Sequence, residues 1–366
     1  RVLDIARCRE LHSASLWRLL RDHRRHSAAP LRRRPSAKTK RLTYAVRWVG
    51  TLALVLLLIG SASHTRAEPI TVGVTAIQLD AGGSAVTRLG PLKYLAGVSL
   101  ASRDKRFGGL SGLLVERDQL TAVSDRGFWF RARLDLDEDG TLQNLNESRI
   151  APILSSKGEP LAIVRGEHDA EALEKWGSSL AVGFERFHRI GLYDPTLGDN
   201  ARPTYVRDIP GIAKSPANGG IEVLVSLGDG RLLALTEESE TDTGELLGWI
   251  IDGDSRDPLA YPKTDWKPTD AAFHPQVGLL VLERKFSALT GFSTRVRQAD
   301  IASVVAGGTI TGPIIARISG SVLSDNFEGI AISESADGSP VVWMISDDNF
   351  SFFQQTLLLA FRWAPE

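Results

Sequence analysis

Cysteine is almost absent from this sequence, and its scarcity limits both the chemistry and the means of stabilisation. The 366 residues contain one cysteine, Cys8, which lies in a strongly basic N-terminal stretch. From residue 68 onward the chain can form no disulfide and can use no thiolate as nucleophile or metal ligand. Its stability must therefore come from a hydrophobic core or from metal bound by other side chains.

The motifs of several common enzyme classes are also missing. The segment Gly109-Leu110-Ser111-Gly112-Leu113 departs from the G-x-S-x-G nucleophile elbow at its last position, which argues against a serine esterase of the α/β-hydrolase type. No P-loop and no dinucleotide fingerprint occurs. Helical periodicity is weak, and even the segment 170–177 is better interpreted as the start of a strand.

Charge divides the chain into two regions. Residues 1–47 hold 14 Lys+Arg against 3 Asp+Glu, whereas the residues from Glu68 onward hold 28 Lys+Arg against 41 Asp+Glu. The acidic balance of the larger region argues against nucleic acid as a partner. Residues 1–40 are predicted to be a disordered basic leader.

Residues 41–67 have the pattern of a secretory signal peptide. The apolar core Gly50–Gly60 is followed by Thr65-Arg66-Ala67, which offers small residues where a signal peptidase cleaves. A membrane span needs about 20 apolar residues, so this core is short for one, and an uncleaved N-terminal anchor is the alternative. We therefore expect residues 68–366 to form one periplasmic or secreted domain, and we expect it to be a monomer.

A repeat of short strands and turns runs through this domain with a period near 50 residues. In each repeat a polar position at the start of one strand is followed, 13 to 19 residues later, by a carboxylate after an apolar run. The first positions are Ser111, Glu171, Glu222, Asp270 and Glu328. The second positions are Asp125, Glu185, Glu237, Glu283 and Asp347. This pattern predicts an all-β propeller with five visible repeats, five- or six-bladed, in which N- and C-terminal strands pair to close the ring.

The recurring carboxylates are predicted to meet at one mouth of the propeller channel. Carboxylates packed together repel each other unless a cation lies among them, and this number of oxygen ligands suits calcium. The predicted ligands are Asp125, Glu171, Glu222, Glu283, Glu328 and Asp347. The basic residues that follow the second carboxylates either pair with acids or hold an anionic substrate such as a phosphate. These residues are Arg126, Arg186, Arg284 and Lys285.

Two alternatives to a metal site stay open at this point. Acidic residues at strand ends are often ordinary turn residues, and Arg–Glu pairs can serve the scaffold alone. The segment Asp135–Gly140 matches the first half of an EF-hand loop, but Asn146 stands where the bidentate glutamate belongs, so a solvated acidic turn is the better interpretation.

The ordered motifs also resemble a known family. FGGLSGL…AVSDRG, DAEAL…VGFERFHRI, GGIEVL…ALTEE, TDAAF…LLVLERKFSALTGFSTRVR and DNFEGIAI…ISDDNF…QQTLLLAFR together resemble the bacterial "esterase-like activity of phytase" family, over roughly Ile77 to Trp363. The resemblance implies an exported, calcium-associated propeller with phosphoester or ester hydrolase activity. Ser111 departs from the acidic pattern in the first repeat.

The sequence thus gives two functional hypotheses for one fold. In the first, calcium and basic side chains at the channel mouth support hydrolysis of a small phosphate-bearing substrate, with Glu283, Arg284, Lys285, Arg126 and Arg186 as catalytic residues. In the second, the protein is a non-catalytic binding module that calcium stabilises.

Overall fold

Short runs of apolar residues between turns form 23 β-strands in the residues described by this computed structural model, which are 66–80, 86–137, 140–319 and 322–365. The N-terminal strands are β1 (Glu68–Pro69), β2 (Val72–Ala76), β3 (Arg88–Leu89) and β4 (Leu92–Ser102). The next four are β5 (Leu110–Glu116), β6 (Gln119–Ser124), β7 (Phe128–Leu136) and β8 (Leu142–Pro152). They are followed by β9 (Ala170–Trp176), β10 (Ser179–Phe184), β11 (Arg189–Tyr193) and β12 (Thr204–Val206).

The C-terminal half continues the same pattern. Its first group comprises β13 (Ile221–Ser226), β14 (Leu232–Glu240), β15 (Leu246–Asp252) and β16 (Ser255–Tyr261). The second group comprises β17 (Lys267–His274), β18 (Gly278–Ser287), β19 (Gly291–Ala299) and β20 (Ile314–Ile318). The last strands are β21 (Phe327–Glu334), β22 (Pro340–Ser346) and β23 (Thr356–Trp363).

The strands form five antiparallel sheets, and each sheet is one blade of a propeller. The inner strands of the blades are β5, β9, β13, β17 and β21, and the strands that follow each of these in the chain lie further outward. N-terminal strands complete two blades at the outer edge: β1 pairs with β8 in the first blade, and β4 and β2 follow β23 in the fifth. Each inner strand contacts the inner strand of the next blade, and β21 returns to contact β5. The described residues therefore form a closed ring of five blades, which settles the choice between five and six.

The ring is closed by strands from the two ends of the domain. In the fifth blade, β23 pairs with β4 from Thr356 opposite Leu100 to Trp363 opposite Leu92. Strand β2 extends the same sheet beyond β4, and β3 also pairs with β4. The predicted closure by N- and C-terminal strands is confirmed, and it removes an edge that would otherwise be open to intermolecular pairing.

The hydrophobic core lies between the blades. The second strand of a blade is covered on both faces, and all seven residues of β22 are buried. Large side chains such as Trp249 and Trp343 fill the space between adjacent sheets. Burying an aliphatic or aromatic side chain of this size contributes about 1.5–3 kcal/mol, so the blade interfaces hold the ring together without disulfides.

The remaining described residues are turns, loops and four short 3₁₀ segments, Leu161–Ile163, Pro195–Asn200, Ile212–Lys214 and Ile301–Ser303. In this part of the chain, no helix has the length and apolar character needed to cross a membrane. The leader and nearly all of the signal segment lie outside the described residues. The first strand begins at Glu68, the residue predicted to follow the cleavage site.

Candidate metal centre and the adjoining cavity

A β-bulge occurs at the same place in the inner strand of every blade. The strand register shifts there once per blade, next to Leu110, Ala170, Ile221, Pro268 and Phe327. The residues that directly follow them, in the same order, are Ser111, Glu171, Glu222, Thr269 and Glu328. A bulge re-aims the side chain that it carries, and bulges are common next to functional sites. Three of the five bulge residues are glutamates.

The fourth bulge corrects the sequence prediction by one residue. Asp270 was expected at this position, but Thr269 occupies it. Asp270 lies one residue further along, where its Oδ1 accepts from the amide of Ala271 and its Oδ2 from that of Ile330, each at 2.8 Å. Asp270 therefore joins two inner strands instead of entering the polar cluster.

In four blades a carboxylate residue from the second strand, or directly after it, is paired with the residue that precedes the inner strand. The amides of Asp125, Glu185, Glu237 and Asp347 donate to the carbonyls of Gly109, Asp169, Gly220 and Asn326 at 2.8–3.0 Å. In the fourth blade the equivalent pair is Lys267 opposite Arg284. An arginine therefore takes the position at which the other four blades place a carboxylate.

Glu283 was predicted both as a metal ligand and as a catalytic residue, and the structure places it elsewhere. Its side chain is fully buried. Tyr261 Oη donates to Oε1 at 2.8 Å, Arg295 Nε donates to Oε2, and Arg297 lies 3.3 Å from Oε1. Because successive side chains of a strand point to opposite faces, a one-residue difference in register moves Glu283 into the blade interface. This prediction is wrong.

The structure brings three carboxylates within reach of one ion. One oxygen from each of Asp169, Glu171 and Glu185 lies within 4.8 Å of the others, and Asp169 and Glu185 are buried. Glu185 Oε1 accepts from the amides of Gly219 and Gly220, at 2.5 and 2.7 Å, which fixes its carboxylate. This triad could hold a metal ion. Of its members, only Glu171 was among the predicted ligands.

The predicted ligands other than Glu283 share one electrostatic environment with this triad. Burial, followed by the charge of Asp169, raises the pKa of Asp125 to about 7. Burial, followed by the charges of Glu328 and Asp125, raises the pKa of Asp347 to about 9. Burial and neighbouring carboxylates also raise the pKa values of Glu171, Glu222 and Glu328. Carboxylates that repel each other in this way favour a cation among them.

The chemistry of the donors fits a hard cation. All members of the cluster offer oxygen, which is what magnesium and calcium bind, and none offers sulfur. Ser111, at the bulge of the first blade, is 1% exposed, and its Oγ has no hydrogen-bond partner among the described residues. Buried hydroxyls normally have a partner, so this oxygen is consistent with a site that takes a ligand or water. By contrast, Asp137 in the EF-hand-like segment accepts from Thr141 N and Gln143 Nε2 within its own hairpin.

Arg284 is the cation that the protein itself places in the cluster. Its Nη2 donates to Glu237 Oε1 at 2.8 Å, and its Nη1 donates to Asn326 Oδ1 at 2.6 Å and to Glu328. Both ends of the guanidinium group are therefore used by neighbouring acceptors. We assign Arg284 the role of holding carboxylates in place, which is one of the two alternatives that the sequence left open for it.

The other predicted basic residues are distributed around the same mouth. Arg186 forms an ion pair with Asp169 of the triad. Arg126 stacks on Phe350, with its guanidinium carbon 3.1 Å from the ring centre. Lys285 is paired with Asp265 at 2.8 Å. Of these, Arg186 contacts the triad directly.

A cavity of about 690 Å³ adjoins the cluster on the side of the fourth blade. It is open to solvent and is lined by Glu237, Glu238, Asp265, Lys267, Arg284, Lys285, Phe286, Phe292, Asn349 and Gln354. Glu237 and Arg284 belong to both the cavity and the carboxylate cluster. The cavity therefore places lysine side chains next to the acidic centre.

Comparisons with solved structures add little to this description. The α-L-arabinofuranosidase PaAbf62A from Podospora anserina, solved with cellotriose, is 10% identical with a TM-score of 0.42 and covers 74% of this chain and 97% of its own. The Cps50 (Swd1) β-propeller domain of Myceliophteria thermophila is 13% identical with a TM-score of 0.34, covering 79% and 88%. Glutaminyl cyclase of Myxococcus xanthus is 11% identical with a TM-score of 0.35, covering 82% and 100%. At these scores the likenesses carry no argument, and the fold rests on the sheet order.

Sequence comparison gives a more specific result. No curated protein matches the chain. Residues 105–350 match the family model Phytase-like, described as esterase-like activity of phytase. The match covers more than half of the chain and extends from the first blade past Asp347, so it includes all five bulges and the acidic triad. The chain therefore belongs to the phytase-like family.

Proposed function

We propose that the protein is a calcium-dependent phosphoester hydrolase that acts at the mouth of the propeller channel. The observation that carries this proposal is the triad Asp169, Glu171 and Glu185 in a carboxylate cluster that shares Glu237 and Arg284 with a lysine-lined cavity. Membership of the phytase-like family supports an esterase or phosphatase activity. The acids provide a site for a cation, and the cavity provides room and two lysine side chains that can contact a phosphate.

Calcium fits the donor set better than a transition metal. It accepts six to eight oxygen ligands in flexible geometry, and the mouth offers only oxygens. The triad would hold the ion, and Asp125, Glu222, Glu328 and Asp347 are the neighbouring carboxylates that could complete its coordination. When bound, calcium supplies positive charge that stabilises a phosphate and lowers the pKa of a coordinated water.

The chain's own residues account for the rest of the site. Lys285 and Lys267 each lie in exposed or half-exposed ion pairs that open at little cost, since such pairs contribute only about 0–1 kcal/mol. They are therefore available to bind phosphate oxygens. A carboxylate of the cluster that does not bind the ion can accept a proton from water. Arg284 and Arg186 keep the carboxylates in position.

The test compares hydrolysis of 4-nitrophenyl phosphate with and without calcium for the wild type and for Asp169→Asn. The expected loss in kcat is about 10²–10³, the usual effect of removing one electrostatic contribution to the transition state. Asp229→Asn is the matched control, because Asp229 also pairs with an arginine but lies in an exposed turn. Equal calcium-dependent activity in both variants would contradict the proposal.

The second candidate is a binding module without turnover. The observation in its favour is that Arg284 already neutralises two of the carboxylates, as a structural cation would. In that case calcium raises the melting temperature, but neither phosphate esters nor carboxylic esters are hydrolysed. The proposal also includes export to the periplasm or medium, with cleavage before Glu68. It further includes action as a monomer.

A further inference from the structure

The lining of the cavity beside Arg284 combines aromatic and charged side chains. Phe286 on β18 lies opposite Phe292 on β19 in the same hairpin, and their ring centres are 5.0 Å apart. Lys267, Lys285 and Arg284 line the same cavity, and the Arg284 guanidinium carbon lies 6.0 Å from the centre of the Phe292 ring. Phe286 is 64% exposed, and together with Phe292 it forms an aromatic pair that faces the cavity.

The charged side chains of the lining carry no excess of positive charge. Lys285 pairs with Asp265, Lys267 pairs with Glu238, and Arg284 pairs with Glu237. Each of the three cations of the lining thus has a carboxylate partner that also lines the cavity. Apart from any bound calcium, the lining itself therefore offers few charge-assisted contacts for a substrate with phosphates on every ring carbon, such as phytate.

The aromatic pair and the cations are close enough to serve one substrate. Arg284 and Phe286 are two residues apart on β18, so the strand places their side chains on the same face, and Phe292 comes from the neighbouring strand. All of them border the same space of about 690 Å³. This space therefore accommodates a small molecule with one charged end and one apolar end.

We infer that the substrate class is the phosphate monoester of an alcohol with an aromatic or aliphatic group, and not a polyphosphorylated polyol; this rests on the proposed function. The phosphate lies against Lys285 and Lys267, and the apolar group packs on Phe286 and Phe292. In the reaction the water oxygen forms a bond to phosphorus and the bond from phosphorus to the alcohol oxygen breaks. One water proton goes to that oxygen, so the products are the alcohol and inorganic phosphate.

The experiment measures phosphate release from 2-phenylethyl phosphate, glycerol 1-phosphate and phytate in calcium. The first two are esters of primary alcohols, so their leaving groups are comparable. Phe286→Ala is expected to lower kcat/KM for 2-phenylethyl phosphate about tenfold, as loss of an aromatic contact does, and to leave glycerol 1-phosphate unchanged. Phe353→Ala is the matched control, because Phe353 is 93% exposed and lies outside the cavity lining.

A binding measurement separates failure of this inference from failure of the proposed function. Calorimetric titration with 2-phenylethylphosphonate, which cannot be hydrolysed at the P–C bond, reports the site without turnover. If no ester is hydrolysed but the phosphonate binds and Phe286→Ala weakens it about tenfold, the hydrolase proposal fails and the ligand class stands. If phytate is the best substrate, or if Phe286→Ala leaves both substrates and the phosphonate unaffected, the inference is overturned.

Discussion

Replacing Arg284 tests whether this side chain is a structural cation. Arg284→Met keeps much of the side-chain volume but leaves Glu237 and Glu328 without the guanidinium that joins them. Removing one partner of a buried ion pair typically costs about 3–5 kcal/mol, because the remaining charge stays buried and unpaired. For a domain of this size each kcal/mol lowers the melting temperature by about 2–4 °C, so a drop on the order of 10 °C is expected.

The assay is thermal and urea unfolding in the presence of chelator, with circular dichroism as the signal. Arg231→Met is the matched control, since Arg231 pairs with Asp229 in an exposed turn and should contribute less than about 1 kcal/mol. The double variant Arg284→Met/Glu328→Gln should recover part of the loss, because it removes one of the uncompensated charges. A single variant as stable as the control, or a double variant with fully additive losses, would refute the reasoning.

Three further predictions concern the carboxylates and the N-terminus. Burial raises the pKa of Asp125 to about 7 and that of Asp347 to about 9, so the folded state holds these protons more tightly than the unfolded state does. The stability that the two protonated carboxyl groups contribute is full below their ordinary pKa and is lost as pH rises through 7 and 9. Urea unfolding in chelator should therefore show a free energy of unfolding that falls from pH 6 to 9. A constant or rising free energy of unfolding would contradict this. Glu283→Gln should lower the free energy of unfolding by about 3–5 kcal/mol, because Arg295 and Arg297 lose their shared carboxylate. The stabilisation by calcium should not change. An unchanged melting temperature would show that the pairing is unimportant. The protein purified from the cell envelope should begin at or near Glu68 by intact mass spectrometry, and a chain that retains residues 41–67 would indicate an anchor.

The overall architecture could be predicted because it depends on features that repeat. The apolar second strands recur at a period near 50 residues, and TLLLAFRW at the C-terminus needs a partner that the N-terminal segment provides. Ring closure follows from the need to remove open sheet edges. The number of blades required the contacts between inner strands, since a sixth could not be excluded by spacing alone.

The individual site residues were harder to predict because they depend on register. A shift of one residue turns a side chain from the channel to the blade interface, and this is the difference between Glu283 and Arg284 and between Asp270 and Thr269. A signal was present in the sequence, because the bulge residues of the other four repeats directly follow an apolar residue, whereas Asp270 follows Thr269. Applied to the fourth repeat, that rule argues against Asp270.

Asp169 was missed for a different reason. It lies two residues before the bulge glutamate, and its role depends on the approach of Glu185 from the neighbouring strand, where the Glu185 amide donates to the Asp169 carbonyl at 2.8 Å. No other repeat has an acid at the equivalent position, so repetition gave no indication of it. The triad is therefore a feature of the second blade alone.

The most direct test of the central claim is calorimetric titration with calcium of the wild type, Asp169→Asn and Glu283→Gln. The structure predicts that the wild type and Glu283→Gln bind calcium with similar affinity and that Asp169→Asn binds it at least tenfold more weakly. The reason is that Asp169 belongs to the triad and Glu283 does not. Binding adds stability of RT ln(1 + [L]/Kd), about 2.7 kcal/mol at a hundredfold excess over Kd, so melting curves should follow the same order. A wild type that binds no calcium, or an Asp169→Asn variant that binds it as tightly as the wild type, would contradict a metal centre at Asp169, Glu171 and Glu185.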